Sequence, residues 1–331
     1  MRKIWLVAFL KYKVKQFIPQ SLWVTAAKRF KAKREREFAE RSVVNDSGSQ
    51  TTHIYLIRRR PPGGGLFSNV NHVLQGIEYA KNLDMTPIVD MQNYWTSYSQ
   101  KKPFNGSKNS WEYFFKPVSE VKISDIAQYK YLTLSKGDRI QPDSPLADLG
   151  LGFVMDNELL MRYSQLYSEN IRINEQTQKF IDRIKDFLEW ESNTMGVFYR
   201  GTDYVATKPK GHAKQPSLSM LLSRLESKLD KESYSRLFIS TEDNEARKRL
   251  NSTYSLIAYK EFREKKTIEK FLSNRHSQSK QTIEALGYLA EIYLLSECRS
   301  ITCSIANGSA SALLINGGKY SNPDILNLGV Y

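Results

Sequence analysis

The sequence has 331 residues, of which 40% are hydrophobic and 25% are charged, a composition typical of a globular protein with a substantial core. Its 49 lysines and arginines against 35 acidic residues give a formal charge of +14. The composition excludes a wholly disordered chain, and two cysteines with four histidines supply neither a disulfide framework nor the usual structural zinc site. No apolar run in the sequence reaches the roughly 20 residues that a membrane-spanning helix needs.

The positive charge is concentrated at the start of the chain. Residues 1–42 contain twelve basic and three acidic residues, so this segment carries +9 and the other 289 residues carry +5. It also contains two clusters of apolar and aromatic residues, at 4–10 and 17–24. Basic segments with Trp, Phe and Leu bind anionic membrane surfaces, with the rings in the interface and the lysines over the headgroups.

This pattern predicts a basic amphipathic segment over residues 1–45 that attaches a cytoplasmic protein peripherally to the inner face of a membrane. Three other interpretations stay open. The segment could form a helix that packs on the body of the protein or on a second copy, a cleaved signal peptide, or an arm that binds nucleic acid.

The first half of the folded chain begins after a polar, turn-rich break at residues 45–50, which predicts a linker. Residues 94–118 are rich in aromatic side chains, and a helical stretch is predicted over 158–189. We expect residues 52–190 to form an N-terminal α/β domain on the acceptor side. Its opening β-loop-α-β unit has a strand over 53–57, a loop over 58–65, a helix over 67–83 and a strand over 86–90.

The second half, residues 191–331, alternates strands and helices. This alternation predicts a parallel sheet covered by helices, in which ligands bind at the carboxyl ends of the strands. The predicted strands are 196–200, 235–240, 254–258 and 300–305, and the predicted helices are 218–229, 244–250, one from 268, 282–297 and 309–315. We expect a Rossmann-like domain that binds a nucleotide-sugar.

A glycine-rich loop lies between the first strand and the first helix. Gly63, Gly64 and Gly65 let the backbone approach an anion closely, and the start of the helix presents unpaired N–H groups. The loop matches neither the dinucleotide pattern G-x-G-x-x-G nor the P-loop. A flexible turn is the alternative interpretation.

An arginine follows the first strand of the second half. Arg200 falls at the predicted carboxyl end of that strand, where a permanently charged guanidinium can hold a diphosphate. Asp203 can orient this arginine or accept a hydrogen bond from a sugar hydroxyl. An Arg–Asp pair that ties down a loop is the alternative.

Carboxylates and small polar residues follow two further strands. Asp243 can accept hydrogen bonds from ribose or base groups, and a helix N-cap is the alternative. Glu291 lies on the predicted helix 282–297. The turn 304–309 after the next strand is either a second anion site or an ordinary helix cap.

Four stretches resemble, in the same order, the superfamily of fucosyltransferases that includes the α-1,6 enzymes and the protein O-fucosyltransferases. They are the glycine loop with Asn69 and His72, residues 92–94 with 111–120, the arginine motif at 197–203, and residues 291–296 with 302–304.

The resemblance implies a GT-B-like fold of two Rossmann-like halves facing a cleft, and inverting transfer of fucose from GDP-fucose without a metal or cofactor. It implies that Arg200 contacts the departing β-phosphate, that Asp203 supports it, and that Glu291 reads the guanine. A fixed arginine and backbone N–H groups can stabilise a leaving diphosphate in place of a metal ion. The resemblance also implies Gly64, Gly65, Asn69, His72, Thr202 and the stretch from Ser304 to Asn307 as donor residues, and we add Phe198 and Asp243 to the predicted donor site from their positions beside strand ends.

The sequence departs from the family at three positions. Phe198 stands where the family commonly has His, and Gly201 stands where the α-1,6 branch has a second arginine. Lys208 falls near the carboxylate suspected as general base in that branch, so the base is Asp203, His212 or a residue that the sequence does not identify. The residues predicted on the acceptor side are Lys208, His212 and Trp111.

Together these features predict a glycosyltransferase that transfers fucose from GDP-fucose to a glycan hydroxyl in the synthesis of surface polysaccharide or glycoconjugates. Its expected partners are the nucleotide-sugar, a glycan acceptor and an anionic membrane surface. Another nucleotide-sugar is the alternative donor. A basic nucleic-acid-binding protein and a catalytically inactive nucleotide-binding protein are the alternative classes.

Overall fold

The computed structural model describes residues 31–254 and 279–331, without the side chains of residues 203 and 253. Within these ranges the chain forms two α/β halves, each built on a four-stranded sheet, which confirms the predicted fold class. The first sheet contains β1 (Arg41–Val44), β2 (Gln50–Arg58), β3 (Thr86–Asp90) and β4 (Tyr129–Leu134). The second contains β5 (Thr194–Tyr199), β6 (Arg236–Thr241), β7 (Ser300–Ser304) and β8 (Asp324–Leu326).

The helices connect the strands and cover the sheets. A helix over residues 31–37 precedes the first strand. The α-helices that follow it are α1 (Leu66–Asn82), α2 (Asn157–Asn170), α3 (Glu175–Leu188), α4 (Asp203–Thr207), α5 (Leu218–Leu229), α6 (Asn244–Thr253), α7 (Lys280–Ser296) and α8 (Asn307–Asn316).

The first sheet has the order β1-β4-β2-β3. Its central strand β2 runs parallel to both neighbours, and Leu56 is aligned with Ile88 on one side and Leu134 on the other. Side chains alternate along β2, so that Tyr55 and Ile57 face one hydrophobic cluster while Leu56 faces another. The edge strand β1 is antiparallel to β4.

The second sheet is parallel throughout, with the order β6-β5-β7-β8. Val197 of β5 is aligned with Ile239 and Thr302. All six residues of β5 are buried, as expected for an apolar strand in the middle of a parallel sheet with helices on both faces.

One hydrophobic cluster includes residues of both halves. It contains Ile57 of β2 and Phe198 of β5, and it continues through the long helix α7 and the short helix α8. The Phe67 and Tyr288 rings meet nearly at right angles across the halves, with centroids 5.2 Å apart. The domain boundaries at 52–190 and 191–331 stay predictions.

Three strands were absent from the sequence predictions. The residues of β1 are all exposed, so no alternation of buried side chains marks this strand, which lies inside the predicted N-terminal segment. Strand β8 has only three residues. The alternating sequence Tyr-Lys-Tyr-Leu-Thr-Leu of β4 did carry a strand signal.

The predicted helical stretch 158–189 is two helices, α2 and α3. The break has a local cause, because the Asn174 side chain accepts a hydrogen bond from the Thr177 amide and caps the start of α3. Residues 1–30, the strand predicted from 254 to 258 beyond its first residue, and the helix predicted from 268 lie outside the described residues. Within the described ranges, we find no helix with the length and apolar character to cross a membrane.

Candidate active site

A cleft of about 490 Å³ lies where the two sheets face each other. In the first sheet, the next two strands along the chain, β3 and β4, lie on opposite sides of β2. In the second sheet, β6 and β7 likewise lie on opposite sides of β5. Such switch points leave a crevice at the carboxyl ends of the two diverging strands. The cleft is lined from both switch points by residues that follow β2, β4, β5 and β7, including Arg59, Asp138, Arg139, Arg200 and Asn307.

The glycine loop forms one wall of the cleft. Gly63 adopts a φ of +76°, which favours glycine, and Gly65 is the N-cap of α1. No side chain among the described residues caps this helix start, so its first N–H groups are available to an anion. The buried Asn69 holds the loop in place: its Oδ1 accepts from the Gly64 amide at 3.1 Å, and its Nδ2 donates to the Gly64 carbonyl at 3.3 Å.

The start of α8 forms the opposite wall. Asn307 and Gly308 line the cleft there. A Cβ atom at residue 308 would overlap the Tyr288 hydroxyl and come within 3.0 Å of the Phe198 ring, so glycine is needed at this position. Phe198, predicted at the donor site, is buried beneath this wall and supports it.

Arg200 extends into the cleft from the end of β5. Its backbone N–H donates to the hydroxyl of the buried Ser304, which ties the ends of β5 and β7 together. Its guanidinium lies over the Tyr204 ring, 4.7 Å from the centroid, and 3.6 Å from Glu242 Oε1. The side chain keeps 23% of its surface exposed, so it is both held and accessible to a ligand.

His72 lies in the wall of the cleft beside the glycine loop. Burial, followed by the positive charge of Arg59, lowers the pKa of His72 to about 3, although the hydrogen bond to the Arg58 carbonyl opposes this shift. The imidazole is therefore neutral at any working pH of an ordinary enzyme.

We expect this buried histidine to make the fold sensitive to acid. Because the pKa of His72 is lower in the folded chain than the usual 6.5, the unfolded state binds the proton more readily. The stability that depends on neutral His72 is fully present above about pH 6.5 and is lost progressively as the pH falls towards 3. Urea denaturation at pH 7 and pH 4.5 should show a smaller loss of stability for His72→Gln than for the wild type. An equal loss in both proteins would contradict the role of His72.

His212 faces Arg200 and Arg139 in the same cleft. Its Nδ1 lies 3.2 Å from the Tyr204 hydroxyl. Burial, with Arg139 and Arg200 next, lowers the pKa of His212, so the ring is neutral at pH 7. The backbone around it is fixed because the Tyr331 amide donates to the His212 carbonyl at 2.9 Å.

Three predicted donor residues of the second half have partners within the fold. Glu291 is buried, and its Oε2 accepts from the Ser240 hydroxyl at 2.5 Å. Asp243 caps α6 by accepting from the amides of residues 245 and 246, which is the alternative that the sequence left open. The exposed Thr202 donates to Glu242 at 3.3 Å.

The remaining predicted residues are spread over the fold. Asp203 is the first residue of α4, next to the cleft, and its side chain lies outside the described residues. Lys208 is exposed at the end of α4, with a φ of +44°. Trp111 is buried and stacks on Phe115 beside a second cavity in the first half. The structure thus brings together Gly64, Gly65, His72, Arg200, His212 and Asn307 as cleft-lining residues.

Sequence reasoning missed two arginines of the cleft. Arg59 belongs to the run 58–60 at the carboxyl end of β2, a position that could have indicated a ligand contact. Arg139 lies in the loop after β4 with an unusual φ of +44°, and no sequence pattern marks it.

The fold and the cleft define the class of the protein: an α/β protein with two sheets and a cationic cleft between their switch points. No protein-family model matches the sequence, and a comparison with curated proteins found no match.

Similar folds occur among solved fucosyltransferase structures. The α-1,6-fucosyltransferase NodZ of Bradyrhizobium, soaked with GDP-fucose, is 15% identical with a TM-score of 0.47, over 80% of this chain and 93% of that chain. A mutant of Arabidopsis thaliana FUT1 with GDP is 12% identical with a TM-score of 0.45, over 89% and 73%. POFUT1 without ligand is 9% identical with a TM-score of 0.46, over 85% and 99%. These likenesses are remote, so the geometry of the cleft carries the functional proposal.

Proposed function

We propose that the protein is a glycosyltransferase that transfers fucose from GDP-fucose to a glycan hydroxyl. One observation carries the proposal: both switch points, two helix N-termini and three arginines meet in a single cleft. A nucleoside diphosphate suits this set, because guanidinium groups and backbone N–H groups bind its phosphate oxygens. The sequence resemblance to fucosyltransferases supports fucose and guanine as the sugar and the base.

Arg200 stabilises the leaving group in this mechanism. The acceptor oxygen attacks the anomeric carbon, the bond from that carbon to the phosphate oxygen breaks, and the electron pair leaves with GDP. The configuration inverts because the attack comes from the face opposite to GDP. Arg200 is held by Tyr204 and remains cationic, so it offsets the developing charge without needing a metal ion or cofactor.

His212 takes the proton from the acceptor hydroxyl. It lines the cleft with Arg200, is neutral at pH 7, and is fixed through Nδ1 and its backbone. Lys208, at the position where the α-1,6 branch has its suspected base, is exposed. Of the bases that the sequence left open, His212 therefore has the support of a described side chain in the cleft.

The acceptor that we propose is a lipid-linked or surface glycan. The cleft is open to solvent between the two halves, which suits a hydroxyl on a larger molecule. Contact with an anionic membrane through residues 1–42 rests on the sequence pattern and would keep the enzyme near such a substrate.

A different nucleotide-sugar donor is the second candidate. Its support is that Glu291, implied as the guanine ligand, already accepts a hydrogen bond from Ser240. The cationic residues of the cleft are compatible with any nucleoside diphosphate, so base recognition distinguishes the two donors.

A thermal-shift panel of nucleotides tests the donor class and the need for a metal together. We expect GDP and GDP-fucose to raise the melting temperature, with smaller shifts for UDP and GMP, and we expect the GDP shift to survive excess EDTA. A shift with UDP but not GDP would favour another donor. The absence of a shift with any nucleoside diphosphate would contradict the proposal.

A further inference from the structure

The first half contributes its own arginine to the cleft. Arg59 follows β2, and its side chain is 15% exposed where it lines the same cleft as Arg200. It also lies next to the glycine loop: its Nη2 donates to the hydroxyl of Ser68, in the first turn of α1, at 3.5 Å, and a Cβ atom added at residue 64 would lie 3.5 Å from the same nitrogen. The guanidinium therefore lies beside the loop that presents the N–H groups of α1.

The hydrogen bonds of His72 fix the orientation of Arg59. A carbonyl oxygen can only accept, so His72 Nε2 carries the proton that it donates to the Arg58 carbonyl at 3.0 Å. His72 Nδ1 then has a free lone pair, and it accepts from Arg59 Nη1 at 3.0 Å. Since an arginine can only donate, this arrangement requires the neutral imidazole.

The charge of Arg59 is only partly compensated within the fold. Asp138 lies 3.7 Å from Arg59 Nη1, but it lies closer to Arg60, at 2.9 Å from that Nε. One carboxylate thus serves two guanidinium groups. The Nε of Arg59 is buried and has no hydrogen-bond partner among the described residues. A bound anion in the cleft would supply the negative charge that this site lacks.

We propose that Arg59 is a second diphosphate-binding residue, held in position by His72, so that the two halves bind the diphosphate of the donor from opposite walls. The inference rests on the proposed function for the identity of the nucleotide. The claim that Arg59 helps the protein to distinguish a diphosphate from a monophosphate does not depend on which base or sugar the ligand carries.

Calorimetric titration with GDP, GMP and inorganic pyrophosphate tests this role. Arg59→Gln is expected to weaken GDP binding roughly 10–100-fold, and to weaken GMP binding much less, because GMP lacks the second phosphate. Arg59→Lys, which keeps a charge but loses the planar fork, should fall between Arg59→Gln and the wild type. If Arg59→Gln does not fold, Arg59→Lys alone decides the test.

Arg60→Gln is the matched control. It removes the same charge one residue away and breaks the ion pair with the same Asp138, but Arg60 is not among the described residues that line the cleft. We expect it to change GDP affinity less than about threefold, since a half-buried charge outside the cleft acts on the ligand only through longer-range, screened electrostatics. Equal losses in the two variants, or an unchanged GDP-to-GMP preference in Arg59→Gln, would overturn the inference.

His72→Gln tests the positioning role. It should lower the preference for GDP over GMP in the wild-type background and leave it unchanged in the Arg59→Gln background, whereas a merely structural role would affect both backgrounds equally. If wild-type protein binds pyrophosphate but not GDP, the proposed donor fails and the Arg59 variants are compared with pyrophosphate. If wild-type protein binds neither, both proposals fail.

Discussion

Arg200→Ala is expected to lower kcat/KM for GDP-fucose by about 1,000-fold or more, while the protein stays folded. The guanidinium is a cation at the switch point of the second sheet, and in the proposed mechanism its loss leaves the departing diphosphate without its main positive partner. The substitution removes a long ion pair to Glu242 and a contact with Tyr204, both at the partly exposed end of the side chain. We therefore expect the melting temperature to stay within about 5 °C of the wild type. Release of GDP from GDP-fucose measures the activity.

Arg224→Ala is the matched control for this variant. Arg224 lies on α5 in the same half, is 57% exposed, and pairs with Asp324 of β8 at 2.9 Å. Its removal is expected to leave kcat/KM within about twofold and to cost at most about 1 kcal/mol of stability. Turnover of Arg200→Ala within tenfold of the wild type would contradict the role of Arg200 as the cation on the leaving group.

His212→Ala is expected to lower kcat by about 100-fold or more and to leave GDP affinity nearly unchanged. The reason is the position of the ring: Nδ1 is engaged by Tyr204, and Nε2 has no hydrogen-bond partner among the described residues. That nitrogen is available for the proton of the acceptor hydroxyl when Nδ1 carries the ring proton. The groups that act on it directly are Arg139, Arg200 and Tyr204, and the other charged and titratable residues that line the cleft are Arg59, His72, Asp138, Asp148 and Tyr288.

The pH profile separates a base from a merely positioning residue. Only neutral His212 can accept a proton, so wild-type kcat should fall as the pH drops through the lowered pKa of this group, below its usual 6.5. The acid limb should disappear in His212→Ala. His53→Gln, which alters a histidine on β2 bonded to Thr133, should keep the wild-type profile. An unchanged acid limb in His212→Ala would contradict the assignment of His212 as the general base.

The strand–loop–helix order was predictable wherever apolar periodicity was strong. The boundaries of α5 match the predicted 218–229, and the end of β5 is Tyr199, so Arg200 lies at a carboxyl strand end as predicted. Local sequence was sufficient there because a buried parallel strand is a short apolar run bounded by polar residues.

The arginines that the first half contributes to the cleft could be identified only from the three-dimensional fold. Residues 58–60 are three consecutive arginines with the same local sequence signal. Arg58 is buried and donates to the Ser135 carbonyl, and Arg60 pairs with Asp138. Only Arg59 lines the cleft among the three, and long-range contacts from the loop after β4 cause that division of roles.

For the predicted donor residues of the second half, too, the local sequence did not decide between a ligand contact and a structural role. Asp243 is a helix cap, an outcome that the letters alone made equally plausible. The Glu291 carboxylate accepts a hydrogen bond from the hydroxyl of Ser240, which is 51 positions away in the sequence, and no local pattern reveals this contact. Gly308 is fixed by the Tyr288 hydroxyl and the Phe198 ring, so a requirement for glycine at the cleft wall arises from packing between distant segments.

A crystal structure with bound GDP tests the central claim most directly. We predict that the β-phosphate oxygens lie within hydrogen-bond distance of the Arg200 guanidinium, between the start of α8 and the glycine loop. A nucleotide whose phosphates lie outside this cleft, with Arg200 still paired to Glu242, would contradict the account.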